Sequence, residues 1–221
     1  NFAAEAPPCR KLVFDVREED RQFAQDLLAE HGVGENDFVV CMQLGASENN
    51  KRWTEERFAG LAKLLTEQYN AKIFLVGVKE EAAFGEVFAK HAPGLAIPLF
   101  GKTNIPQLAA LLSRANVLVT NDTGTMHIAA AVGCPIALIS VGHVHYRETG
   151  PYGEGHCAIE FKRRSLGSSA YVPGGLEERD LILPEQALRG VRLVLQNDPA
   201  QPMAQIEDTP DDLINDLFHQ A

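Results

Sequence analysis

The residues best placed to do chemistry lie in 119–135, which reads Val-Thr-Asn-Asp-Thr-Gly-Thr-Met-His-Ile-Ala-Ala-Ala-Val-Gly-Cys-Pro. An apolar strand pattern over 116–120 runs into a short polar turn. A helical pattern follows at once over 124–132 and stops at Gly133. The N–H groups of Thr123, Gly124 and Thr125 then have no acceptor within the helix. Together with the helix dipole they make a ready anion site. Gly124 lets a phosphate approach the backbone closely, and Ala129, Ala130 and Ala131 let the helix lie tight on a sheet. A plainer reading stays open for two residues, with Asp122 only a helix cap and His127 only a core histidine.

Such a turn needs a scaffold. Residues 37–42 (DFVVCM) form a continuous apolar run, as expected of a strand buried on both faces. Similar strands are read at 72–76 (KIFLV), 116–120 (NVLVT) and 135–140 (PIALIS), with a weaker one at 95–99 and a short one at 11–14. Helices alternate with them. The first, 18–31, turns Phe23, Leu27 and Leu28 inward and is stopped by Gly32 and Gly34. The next, 54–69, is capped by Thr54 and buries Phe58, Leu61, Ala62, Leu64 and Leu65. Others are read at 79–91, at 105–113 behind an Asn104 cap with Gln107 at the capping-box position, and at 184–196.

Strands alternating with helices predict an α/β fold, a Rossmann-like doubly wound parallel sheet with right-handed crossovers. Ligands in such sheets bind at the carboxyl ends of the strands. That rule singles out the loops 43–53, 77–81, 100–104, 121–125 and 141–153. The expected organisation is a lead-in over 1–36, a ligand-binding domain over 37–196 and an acidic tail over 197–221. Residues 162–182 read as a polar Gly/Ser-rich surface loop. In the tail, Leu213, Ile214, Leu217 and Phe218 could form an amphipathic turn.

Composition narrows the function. Of 221 residues, 45% are hydrophobic and 23% charged, enough apolar material for a core and typical of a globular protein. The 20 Lys and Arg against 30 Asp and Glu give a net charge of −10, which argues against nucleic acid as a partner. Any anion must be held by a local site. No run approaches the roughly 20 apolar residues of a membrane-spanning helix. The first residues, Asn-Phe-Ala-Ala-Glu-Ala-Pro-Pro, lack the pattern of a signal peptide and of a natural start. Cys9, Cys41, Cys134 and Cys157 contain no CxxC and read as free thiols of a cytoplasmic protein. His143, His145, His156 and Cys157 match no closed zinc spacing, so no metal is expected.

The 119–135 segment resembles the Asp-Thr/Ser-Gly-Pro-x-His-x-Ala-Ala-x-Gly-x-Pro signature of the ADP-heptose:lipopolysaccharide heptosyltransferase family. It matches at Asp122, Thr123, Gly124, His127, Ala129, Ala130, Gly133 and Pro135, and departs at Thr125, where Pro is usual. Gln43-Leu44-Gly45-Ala46-Ser47 with Lys51-Arg52-Trp53 resembles the family's Gly-Ala-Ser…Lys-x-Trp pattern. The resemblance gives Ser47 and Lys51 to the donor site, with Lys51 on the phosphates, where a cation can reach a pyrophosphate across the sheet edge. A solvated loop lysine is the alternative. Trp53 reads as a packing anchor.

Gly77 and the acidic pair that follows match a nucleotide-contacting loop. The resemblance carries the contact to Glu81, accepting from ribose hydroxyls, with Glu80 its rival and a merely acidic first helical turn the alternative. Gly142, Thr149, Gly150, Pro151 and Tyr152 fit a further family loop. His143 to Tyr146 depart from it, and Arg147 is a candidate phosphate contact.

The resemblance covers about residues 11–196. It implies the carboxyl-terminal half of a GT-B glycosyltransferase: an inverting, metal-independent donor domain binding ADP-heptose or a related nucleotide sugar. It places the lipopolysaccharide core acceptor and the general base in a separate amino-terminal domain. The chain alone is then expected to bind nucleotide without turning over substrate. The implied location is cytoplasmic, peripheral to the inner membrane. A non-catalytic nucleotide-sugar-binding module and a GT-B sugar-nucleotide epimerase are the alternatives.

Overall fold

The computed structural model describes residues 12–141, 146–160, 181–196 and 204–206. Its framework is a seven-stranded, all-parallel sheet in the order β3-β2-β1-β4-β5-β6-β7. The strands are β1 (Val39–Gln43), β2 (Lys72–Val76), β3 (Ala96–Pro98), β4 (Val117–Thr120), β5 (Ile136–Ser140), β6 (Cys157–Glu160) and β7 (Ala204–Ile206). Chain order reverses direction between β1 and β4, which places the crevice of such a sheet beyond their carboxyl ends. Gln43 pairs in register with both Val76 and Thr120, so these three ends finish level.

The apolar runs explain the layers. Every residue of β1 is buried, because both faces are covered. Val40 and Met42 face one way, with Ile73, Leu75, Val117 and Val119. They meet α2 (Glu55–Tyr69), α3 (Ala82–His91) and α7 (Pro184–Leu195). Val39 and Cys41 face the other way, with Phe74, Val76, Leu118 and Leu138. They meet α1 (Glu18–Glu30), α4 (Ile105–Arg114) and α5 (Gly124–Ala131). The period-two alternation of strand side chains thus sorts one apolar run into two cores.

Helix starts follow local chemistry. The Thr54 hydroxyl accepts from Arg57 N at 3.4 Å. Asn104 and Gln107 form a reciprocal capping box, at 2.9 Å and 3.0 Å. Trp53 is fully buried, packs edge-on to Phe58 with ring centroids 4.8 Å apart, and donates from Nε1 to Ile182 O at 2.9 Å. It is the packing anchor that the sequence suggests.

Several expectations need correction. The apolar residues at 12–14 form no strand. Phe14 N donates to Ala131 O, leaving Leu12 and Val13 exposed, because the segment crosses the end of α5 instead of reaching a sheet edge. Strands β6 and β7 and the short helix α6 (Tyr146–Thr149) were not anticipated. Leu181 and Ile182, at the end of the stretch read as a surface loop, are buried in the core. The lead-in contributes α1, which lies against α4, and the tail contributes β7. The expected amphipathic turn at Leu213–Phe218 lies outside the described residues.

Candidate functional site

A cavity of about 590 Å³ opens at the carboxyl edge of the sheet, where the loops after β1, β2, β3 and β4 converge. Ser47, Gly77, Glu81, Asp122, Thr123 and Gly124 all line it. Beside them stand Thr125, whose N–H belongs to the expected anion site, the helix cap Asn104, and residues that sequence reasoning left without a role: Gln43 and the apolar Ile105, Leu108 and Ile128. The cavity therefore joins a polar rim to an apolar wall, as small-molecule sites usually do.

Each loop is fixed from beneath. Asn121 is fully buried. Its amide nitrogen donates to Leu44 O at 2.9 Å and Gly45 O at 3.2 Å, and its oxygen accepts from Trp53 N at 3.0 Å. One side chain thus pins both ends of the loop that carries Ser47 and Lys51. On the neighbouring turn, the Thr149 hydroxyl donates to Asp122 Oδ2 at 2.6 Å. Asp122 is not the helix cap. Thr123 occupies that position in extended backbone, and α5 starts at Gly124. Met126 N, bonded to Thr123 O at 3.1 Å, is the first amide of the helix to find a backbone acceptor. The N–H groups of Gly124 and Thr125 lie ahead of it at the cavity. A Cβ added to Gly124 would meet no atom within 4 Å, so the space in front of this helix end is open.

Glu81 is distinguished from Glu80 by placement. Glu80 is exposed outside the cavity, whereas Glu81 is half-buried within it. Glu81 Oε2 accepts from Gln43 Nε2 at 2.8 Å and from Val78 N at 3.0 Å. A Cβ at Gly45 would lie 1.6 Å from Glu81 Oε1, and one at Gly77 would lie 2.1 Å from Oε2. At both glycines the carboxylate occupies the space of a side chain, and Gly77 also holds a φ of 154° that side chains disfavour.

Two expected site residues stand apart, Lys51 and His127. Lys51 sits in a 3-10 turn, Asn49–Lys51, and its Nζ pairs with Glu48 Oε1 at 2.7 Å, outside the cavity lining. His127 is exposed on α5, neither a core histidine nor part of the lining. Arg147 lies on α6, and its side chain is outside the described residues, as are His143 and His145. His156 is buried, and desolvation lowers its pKa from 6.5. Burial pushes the thiols of Cys134 and Cys157 up to about 12, and Cys41 is also raised, so all three are protonated.

A doubly wound parallel sheet with a polar cleft at its reversal point defines a class of α/β protein that takes its ligand beyond the carboxyl ends of the strands. Known proteins agree and are more specific. The model of glycosyltransferase family 9 (heptosyltransferase) matches residues 5–165. Lipooligosaccharide heptosyltransferase 2 of Haemophilus ducreyi is 31% identical over 131 residues, 58% of this chain and 36% of that protein. The crystal structure of a family 9 glycosyl transferase from Veillonella parvula superposes with a TM-score of 0.75 at 26% identity, covering 85% of this chain and 55% of the other. Escherichia coli ADP-heptose LPS heptosyltransferase II has the same fold, with a TM-score of 0.71 at 22% identity, over 87% and 56% of the two chains. The chain belongs to glycosyltransferase family 9. The match spans about a third of the H. ducreyi relative and about half of each solved structure.

Proposed function

We propose that this chain is the donor-binding part of a heptosyltransferase, holding ADP-heptose or a related nucleotide sugar for inverting transfer to a lipopolysaccharide core sugar. One observation carries the reading. Residues from three separate loops, matched to the family's donor motifs, converge on one cavity that has an open helix amino terminus on one side and a braced carboxylate on the other. The nucleoside lies along the apolar wall, with its ribose hydroxyls donating to Glu81. The diphosphate lies against the amides of Gly124 and Thr125.

In the transfer, an acceptor hydroxyl forms a bond to the anomeric carbon while the bond from that carbon to the diphosphate breaks. The diphosphate leaves with the electron pair. This chain stabilises that departing charge through the helix end, with Lys51 turning from Glu48 to the phosphates. The hydroxyl proton passes to a general base, which the family resemblance puts in an amino-terminal acceptor domain. Leaving-group stabilisation by amides and a lysine requires no metal. A cytoplasmic site of action, peripheral to the inner membrane, belongs to this reading and rests on the family alone.

The test is calorimetric titration of the chain with ADP and with UDP, each with and without EDTA. Binding of ADP that ignores EDTA and weakens in Lys51→Ala supports the reading. Failure of both nucleotides to bind refutes it.

A further inference from the structure

At the reversal point of the sheet, one buried side chain spans the two sides of the cavity. Gln43 is the last residue of β1 and is 3% exposed. Its Nε2 donates to Glu81 Oε2 at 2.8 Å, and its Oε1 accepts from the Thr125 hydroxyl at 3.1 Å. Thr125 lies in the first turn of α5, beside Gly124. The amide orientation is consistent with both partners, because a carboxylate only accepts and a hydroxyl can donate. An unbroken chain of bonds therefore runs from the helix end to the carboxylate.

We infer that Gln43 is a positioning residue that, held by Thr125, sets the Glu81 carboxylate to select a ligand carrying a ribose cis-diol. The inference rests on the functional reading above and deepens it. Gln43 and Val78 N both bond to Oε2, which fixes the plane of the carboxylate. Oε1, the oxygen above Gly45, is left to accept from a ligand. Without Gln43 the carboxylate would keep only the Val78 bond and could rotate. The hold on Gln43 comes from Thr125, at the position where the family signature carries proline. Proline has no hydroxyl and could not make this bond. Selection of the diol in this chain thus depends on a residue at the phosphate side of the cavity.

The readout is a ratio of affinities, ADP against 2′,3′-dideoxy-ADP, measured by calorimetry on the full chain. Wild type should prefer ADP by roughly 10- to 100-fold, the range for hydroxyls donating to a charged acceptor. Gln43→Met keeps the length of the side chain and loses both bonds. It should bring the ratio to within about threefold while dideoxy-ADP binding stays near wild type. Thr125→Val, a partly exposed site that leaves the core intact, should lower the ratio in the same direction, and Thr125→Ser should retain it. A general packing role for Gln43 would weaken both ligands equally and leave the ratio unchanged, which overturns the inference. An unchanged ratio in Thr125→Val overturns it as well. If wild type binds neither nucleotide, the functional reading itself fails and takes this inference with it. If wild type binds both equally, only the diol selection by Glu81 falls.

Discussion

Gly45→Ala is the sharpest perturbation of the site, because its consequence can be worked from distances. The new Cβ would stand 1.6 Å from Glu81 Oε1 and 2.4 Å from its Cδ, separations no pair of atoms tolerates. The backbone of Gly45 needs no left-handed conformation, so alanine is permitted there apart from this contact and a tight approach of 3.1 Å to Gln43 Nε2. Glu81 is the far end of a side chain and can swing away. It then gives up its bonds from Gln43 Nε2 and Val78 N. Water at the half-open cavity replaces part of that loss, so stability should fall by only about 1–2 kcal/mol. The ligand loses more. Hydrogen bonds to a charged acceptor contribute about 1.5–3 kcal/mol, which corresponds to roughly 10- to 150-fold in Kd for ADP. Thermal melting and ADP calorimetry on the same preparation separate the two effects. A folded Gly45→Ala protein with wild-type ADP affinity would refute the role given to Glu81.

Other perturbations test other parts. Gly124→Ala meets no atom within 4 Å and replaces a helical glycine, so stability should stay level or rise by up to about 1 kcal/mol. Its Cβ stands at the helix end, so ADP affinity should drop while adenosine affinity holds. Asn121→Leu removes three bonds and strands Leu44 O, Gly45 O and Trp53 N. It should cost roughly 3 kcal/mol, or on the order of 6–12 °C in melting temperature. His156 is held neutral by burial, with no hydrogen-bond partner for Nδ1 among the described residues. The unfolded chain therefore takes up a proton before the folded one does. Stability from this residue is complete above pH 6.5 and declines as pH falls below it, by at most about 1.4 kcal/mol per pH unit. Denaturant melts of His156→Phe between pH 5 and 7 should show a flatter slope than wild type.

Most of the framework was legible because its signals are local. The continuous apolar runs of β1, β2, β4 and β5 mark strands covered on both faces, and the Asn104–Gln107 box marks a helix start within four residues. The misses are non-local. The four residues of β6 and three of β7 are too short to show a period, and the sheet itself supplies their partners. The apolar residues at 12–14 show the converse, a strand-like composition that finds no strand to pair with. At the site, the motifs named three of the loops that meet at the cavity and the strand-end rule named the one after β3, and Glu81 could not be separated from Glu80 until β2 and its turn were in place. Gln43 was in a quoted motif but its role was invisible. Its partners lie 38 and 82 residues away in sequence, and only the level ends of β1, β2 and β4 bring them together. The pairing of Lys51 with Glu48, three residues earlier, is a local signal that a basic–acidic spacing could have flagged.

The claim on which the rest depends is that a nucleoside diphosphate occupies the cavity at the β1/β4 reversal. The most direct measurement is titration of the 15N-labelled chain with ADP, following backbone amides by NMR. Saturable shifts centred on Gly45, Gly77, Val78, Gly124 and Thr125 are the expected result. Shifts absent at saturating ADP, or confined to amides away from these loops, would contradict it.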